Sequence, residues 1–233
     1  MNAGVRLVRG CVVATVLLSQ LGATRGTGAV SGQVVLLDRS GQTRGDLGST
    51  IIYLEPLDRR AGDDDVASVN ATSTIAMRGK EFLPRTTVIR RGGVVRFPNQ
   101  DPFSHNVFSN TEPASFDLGL YRRGASRSAT FAQVGVYPVF CNIHAKMVSY
   151  VVAVPTRHVT FADADGRFSF DDVPTGAYRA HVWHERAAGI AQDVEVTATG
   201  ATLRLTLDAR GYVAGAHLNK FGMPYSSTRA DRY

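Results

Sequence analysis

Val136-Tyr-Pro-Val-Phe-Cys141 is a run of β-branched and aromatic residues, and Asn142-Ile-His144-Ala-Lys-Met147 follows it as a short loop. Similar strand-like runs lie on either side, cut by Gly, Pro, Asn or Asp. They include Gln33–Leu37, Thr50–Glu55, Ser73–Met77, Thr86–Arg90, Val94–Phe97, Ala129–Ala132 and Val148–Val154. No long window has a strong 3.6-residue apolar period. A short helical turn is expected near Phe116–Tyr121. The fold class is therefore all-β, with a sandwich or Greek-key barrel as the usual way to bury such strands.

Pro155 marks a boundary, and a second strand series follows it. Asp165-Gly166 is a hairpin signal between Val159–Ala162 and Arg167–Phe170. Pro174-Thr-Gly176 turns the chain into Ala177–His184. Leu203, Leu205 and Leu207 alternate with Arg204, Thr206 and Asp208, the pattern of a half-buried edge strand. The expected organisation is a leader over 1–29, a β-rich segment over 30–68, a main domain over 69–155, a small sandwich over 156–210 and a polar tail over 211–233.

The leader has Arg6 and Arg9 ahead of the apolar run Cys11–Leu18, which is too short to span a bilayer. Small residues follow, with cleavage expected after Ala23 or Ala29. This is the pattern of a secretory signal peptide, and it places the mature protein in the periplasm or outside the cell, with no membrane span. Loss of Cys11 leaves Cys141 as a lone thiol in an oxidising compartment, where it needs burial or a metal. The 233-residue chain has a formal charge of +6, and loss of Arg6, Arg9 and Arg25 leaves about +3. No nucleic-acid motif accompanies that mild basicity. The Asp63-Asp64-Asp65 run is a solvated loop, and Asp163-Ala-Asp165-Gly166 lacks the further oxygens of a calcium loop.

The chemistry sits in the Cys141 loop and in Phe103-Ser-His105-Asn106-Val-Phe108. Cys141, His144 and Met147, with His105 from a second strand, give one thiolate, two imidazoles and a thioether. That set suits one copper ion cycling between two oxidation states. The expected geometry is a trigonal plane of His105, Cys141 and His144 with Met147 weak and axial, a blue (type 1) copper site. Zinc could use the same ligands, but structural zinc sites seldom combine a lone Cys with a Met. Asn106 follows His105 directly. Its N–H or side chain can bond the Cys141 sulfur or tie down the ligand loop, and such bonds tune a metal's potential.

From about Ser73 to Val154 the chain resembles the cupredoxins, including plastocyanin, pseudoazurin and amicyanin. The resemblance runs through Ile75-Ala-Met77, Phe82-Leu-Pro84, Val94-Val-Arg-Phe97, Asn99-Gln-Asp101, His105-Asn106-Val107, Gly135-Val-Tyr137 and the Cys141–Met147 loop. Two residues on each side of His144 match the short amicyanin loop. The resemblance implies a Greek-key β-sandwich with copper at one end, and a partly exposed His144 through which electrons leave. The whole chain is similar to bacterial proteins labelled methylamine utilisation or plastocyanin-like. Val30–Pro56 and Thr156–Asp208 resemble the carboxypeptidase regulatory-like or transthyretin-like sandwich, through Asp165-Gly166-Arg-Phe168 and Val173-Pro-Thr-Gly176-Ala-Tyr178. Val30–Pro56 has an alternative place as strands of the copper domain.

The expected function is single-electron transfer between a redox donor and an acceptor, with no catalysis on a small substrate. The expected docking surface is the apolar rim of Ile143 and Ala145, with Lys146, Arg122, Arg123 and Arg127 steering acidic partners or serving solubility alone. The alternative is copper storage or delivery. A third reading makes the C-terminal sandwich a binding module. No second histidine cluster suggests a trinuclear copper oxidase. His181 and His184 lie three apart on a strand, facing opposite sides, and so do not share a metal. His158 and His217 have no partner visible in the sequence, and neither does the oligomeric state.

Overall fold

The computed structural model describes residues 26–43, 47–58 and 68–225. Residues 1–25 of the leader expected over 1–29, the Asp63–Asp65 run and the last eight residues of the tail lie outside the described residues. The strands in chain order are β1 (Thr27–Asp38), β2 (Gly41–Thr43), β3 (Ile51–Pro56), β4 (Thr72–Thr74), β5 (Ala76–Arg78) and β6 (Glu81–Leu83). β7 (Thr86–Arg90), β8 (Gly93–Pro98), β9 (His105–Ser109), β10 (Phe116–Tyr121), β11 (Ser126–Phe131) and β12 (Gly135–Phe140) follow. The chain continues through β13 (Val148–Val154), β14 (Val159–Phe161), β15 (Arg167–Pro174), β16 (Gly176–His184), β17 (Ala187–Val196) and β18 (Ala201–Asp208). The described residues are all-β. The helical turn expected at Phe116–Tyr121 is strand β10 instead, because its backbone pairs with β9 from Phe116↔Ser109 to Tyr121↔His105.

Two sandwiches result. In the first, the sheet β10-β9-β12-β13-β7 faces the sheet β11-β8-β4, with the hairpin β5–β6 alongside. Its core joins Val95, Phe97 and Phe131 to Val107, Val139 and Val151 from the other sheet. In the second, β15-β1-β18 carries β2 on β1 and packs on β14-β3-β16-β17. Val34, Leu36, Leu205 and Leu207 meet Ile52, Leu54, Ala180 and Val182 there. The second sandwich thus takes strands from both chain ends: β1 runs parallel to β18 over Val30↔Ala201 to Leu37↔Asp208, and β3 pairs β16. Val30–Pro56 accordingly pairs with the C-terminal strands and not with those of the first sandwich. Cleavage after Ala29 would remove the start of β1, and cleavage after Ala23 would leave it whole.

Alternation explains these choices. Leu203, Leu205 and Leu207 are buried while Arg204, Thr206 and Asp208 are exposed, so one face of β18 meets the core. The Asp165-Gly166 turn is not a hairpin: β14 pairs with β3 and β15 with β1, so the turn carries the chain from one sheet to the other. Asp163 Oδ1 accepts the N–H groups of Asp165 and Arg167. Gly166 has φ +82°, and a Cβ there would lie 2.3 Å from the Val34 carbonyl oxygen, so only glycine fits.

The sandwiches dock through a third apolar cluster. Ile51 packs with Val69, Val152 and Val154, flanked by Trp183, Val88 and Val136. The Trp183 ring lies 5.0 Å from that of Tyr150, and Arg85 Nε bonds Glu185 at 2.8 Å across the same junction.

Candidate metal centre

β12 ends at Phe140 and hands over directly to Cys141, while β9 begins at His105. These two strands are neighbours, with Phe140 opposite Phe108. Alternation sends Val107, Val139 and Cys141 inward, and Phe108 and Phe140 to the outer face. The loop after Cys141 closes on itself: Cys141 N–H donates to the Met147 carbonyl at 3.2 Å and Met147 N–H to the His144 carbonyl at 3.0 Å. That tight turn brings His144 back over Cys141.

His105, Cys141 and His144 converge, each offering one atom, with all three atoms within 4.8 Å of one another. Cys141 Sγ lies 3.7 Å from His105 Nδ1 and 3.6 Å from His144 Nδ1. Two donors bound to one divalent ion at about 2.0–2.3 Å, 110–120° apart, stand about 3.6–3.8 Å from each other. The observed separations fit that arrangement, and the N₂S donor set suits copper. Met147 is 1% exposed and belongs to the same apolar cluster as Cys141.

The surroundings fix each donor. His105 is fully buried, and its Nε2 bonds Asp101 Oδ2 at 2.7 Å. With Nε2 engaged, Nδ1 faces Cys141 with its lone pair available to a metal. Burial works against the Asp101 carboxylate, yet the N–H of Lys80, the His105 ring and the N–H of Gly79 outweigh it and hold its pKa below the ordinary value. Burial lowers the pKa of His105 against the pull of Asp101, so the ring is neutral, as a ligand must be. Asn99 anchors this segment: its Nδ2 donates to the Phe103 and Tyr121 carbonyls, and its Oδ1 accepts the Asp101 N–H.

Burial pushes the Cys141 thiol above its usual range, and the backbone N–H groups of Asn106, Ile143 and His144 oppose it. Three amide donors aimed at one sulfur favour the thiolate, the form that binds metal. Asn106 thus acts on the sulfur through its backbone. Its side chain turns the other way, donating from Nδ2 to Asp117 Oδ1 at 2.6 Å. A bulge in β10 places Asp117, whose Oδ1 also accepts the Gly119 N–H, and Gly119 sits at φ +69°. The Phe103 ring lies against both imidazoles, 5.2 Å from His105 and 5.7 Å from His144.

His144 departs from expectation. The cupredoxin resemblance implies a partly exposed ligand, but His144 is 6% exposed. The rings of Phe103 and His105 lie against it, and the tail bonds the backbone of its loop. His217 stacks on Phe140 with ring centroids 4.4 Å apart, and its Nε2 lies 3.3 Å from the His144 carbonyl oxygen. Tyr225 donates its hydroxyl to the Cys141 carbonyl at 2.6 Å. Residues 212–219 form no strand, as their polar composition suggests, yet this segment is seated on the ligand loop. Ile143 and Ala145, the expected rim, are half-buried, whereas Lys146, Arg122, Arg123 and Arg127 are exposed. His181 and His184 do lie apart: His181 bonds Glu55 at 3.1 Å, while His184 is buried and accepts the Arg186 N–H.

Asp101, Phe103, His217 and Tyr225 escaped the residue-by-residue reading. Asp101 had a signal, a carboxylate four residues before a candidate ligand histidine. The signal for His217 was indirect: Phe108 and Phe140 face outward on central strands and need something apolar over them.

The family model for polysaccharide lyase family 4, domain II, matches residues 157–204. This span lies in the second sandwich, and its description differs from the carboxypeptidase regulatory-like resemblance of the turn motifs. No curated protein matches the chain. Among solved structures, the chain is similar to a Cu-containing nitrite reductase from Thermus scotoductus SA-01, with 26% identity over 36% of this chain and a TM-score of 0.34. The chain spans only 22% of that reductase. It is also similar to a purple cupredoxin from Nitrosopumilus maritimus, at 22% identity over 35% of this chain and 99% of that one, TM-score 0.33. Amicyanin from Paracoccus versutus gives 21% identity over 37% and 90% of the two chains, TM-score 0.33.

Proposed function

We propose that this chain is an exported type 1 copper protein that passes single electrons between a donor and an acceptor protein, with His105, Cys141, His144 and Met147 as ligands. The observation that carries the proposal is the meeting of three buried donor atoms from two stretches of chain, with Sγ–Nδ1 separations of 3.7 and 3.6 Å. Copper, when bound, supplies the one-electron couple. The chain's own residues do the rest. Asp101 fixes the His105 ring, three amide N–H groups stabilise the Cys141 thiolate, and the apolar surroundings of Phe103 and Met147 keep water out. A site held this rigidly changes little on gain or loss of an electron, which keeps exchange fast.

Storage or delivery of copper is the weaker alternative, because donors at 0–6% exposure do not present the metal to an acceptor. The leader motif supports export, and the described residues contain no helix long and apolar enough to cross a membrane. The test is the visible spectrum of the purified protein with Cu(II). An intense thiolate-to-copper charge-transfer band is expected, and Cys141→Ser abolishes it. A colourless Cu(II) complex of the intact protein overturns the type 1 assignment.

A further inference from the structure

We infer that residues 217–225 form a built-in strap of the metal site, one that latches the loop carrying Cys141 and His144 in place. The inference rests on the copper reading for its redox consequence, but not for its geometry. After β18 the chain leaves the second sandwich and finds no strand partner over residues 212–219. It nevertheless reaches the far sandwich and bonds four residues of one loop. Tyr225 holds the Cys141 carbonyl, Lys220 N–H donates to Asn142 Oδ1 at 2.9 Å, His217 Nε2 meets the His144 carbonyl, and His217 N–H donates to the Ala145 carbonyl at 3.2 Å.

A second anchor reaches the opposite side of the site. Lys220 Nζ pairs with Asp117 Oδ2 at 2.6 Å, and Asp117 bonds the side chain of Asn106, whose backbone N–H points at the Cys141 sulfur. The strap thus ties the loop carrying Cys141 and His144 to the strand carrying His105. Ordering an unpaired segment costs conformational entropy, and the bonds at the ligand end offset that cost. His217 and Tyr225 touch ligand backbones and not the metal, so they are positioning residues. Water at a metal site favours the more highly charged oxidised state, so a strap that excludes water raises the reduction potential.

The test uses the full-length chain carrying both His217→Ala and Tyr225→Phe. In metal-free protein, alkylation of Cys141 by iodoacetamide reports opening of the loop. Loss of two carbonyl-bonding side chains is expected to speed labelling by about tenfold or more, with the thermal midpoint nearly unchanged. Val213→Ala, upstream of the strap and 73% exposed, leaves the rate unchanged. His217→Gln, which keeps a donor near the His144 carbonyl, restores part of the protection. In copper-loaded protein the double variant keeps its colour and shows a lower reduction potential. Equal labelling rates for the double variant and the intact chain overturn the strap, as does a rise fully matched by loss of global stability. Should the intact chain bind no copper, the copper reading falls while the labelling comparison still decides the strap.

Discussion

The two sandwiches of this chain are built alike but filled differently. The second has a core of Val, Leu, Ile, Phe and Tyr, with His184 and Thr50 among its few buried polar groups. The first buries Asn99, Asp101, His105, Asn106 and His144 together at one end. Burying polar groups is costly unless each is bonded, and here Asp101 bonds His105, Asn99 bonds the loop backbone, and Asn106 bonds Asp117. A fold breaks its own packing rule where chemistry requires it. The difference between the two cores locates the site without reference to any motif.

Disturbing the second core should affect stability and nothing else. Leu36→Ala removes a fully buried side chain opposite Leu207 and is expected to cost about 2–5 kcal/mol in denaturant unfolding. The copper spectrum of the folded fraction should not move. A changed spectrum would mean that the two sandwiches are coupled more closely than the docking cluster around Ile51 and Val154 implies.

Disturbing the polar end should do the reverse. Asp101→Asn leaves the shape intact but removes the charge that holds the His105 ring. A loss of about 10–100-fold in metal affinity is expected by competition titration, with a smaller change in stability. Unchanged affinity would show that packing against Phe103 alone orients the imidazole.

Acid sharpens the comparison further. Burial works to raise the Asp117 pKa, but Lys220, the Asn106 side chain and the Gly119 N–H outweigh it and hold it below its ordinary 3.8. A depressed carboxylate contributes its full stability above that ordinary value and loses it as pH falls through the folded one. The Lys220 contact should therefore loosen only below about pH 4, seen as a shift of the Lys220 amide resonance. Asp117→Asn should remove this acid-side change.

The smallest effect is expected at the junction. Arg85→Ala removes a partly exposed pair with Glu185 and should cost less than about 1 kcal/mol, because solvent screens it and the apolar cluster carries the docking. Independent melting of the two sandwiches in that variant would show that the ion pair matters more than its exposure suggests.

By itself the sequence determined the all-β class, most strand positions and the three converging donors, because alternation and ligand chemistry are local properties. Cys141 and His144 sit within one loop, and His105 opens a second strand-like run whose residue type completes the set. β10 reads as a helical turn because a bulge between Asp117 and Leu120 breaks the alternation of Phe116, Leu118 and Leu120, leaving Leu120 58% exposed; its strand identity comes from pairing with β9. Tertiary structure alone decided that Val30–Pro56 belongs with the C-terminal strands, because partner choice depends on which faces meet across some 170 residues of chain. It alone decided that a polar tail is seated on the Cys141–Met147 loop. The bonds from His217, Lys220 and Tyr225 land mostly on backbone carbonyls, which every residue carries and no sequence pattern marks.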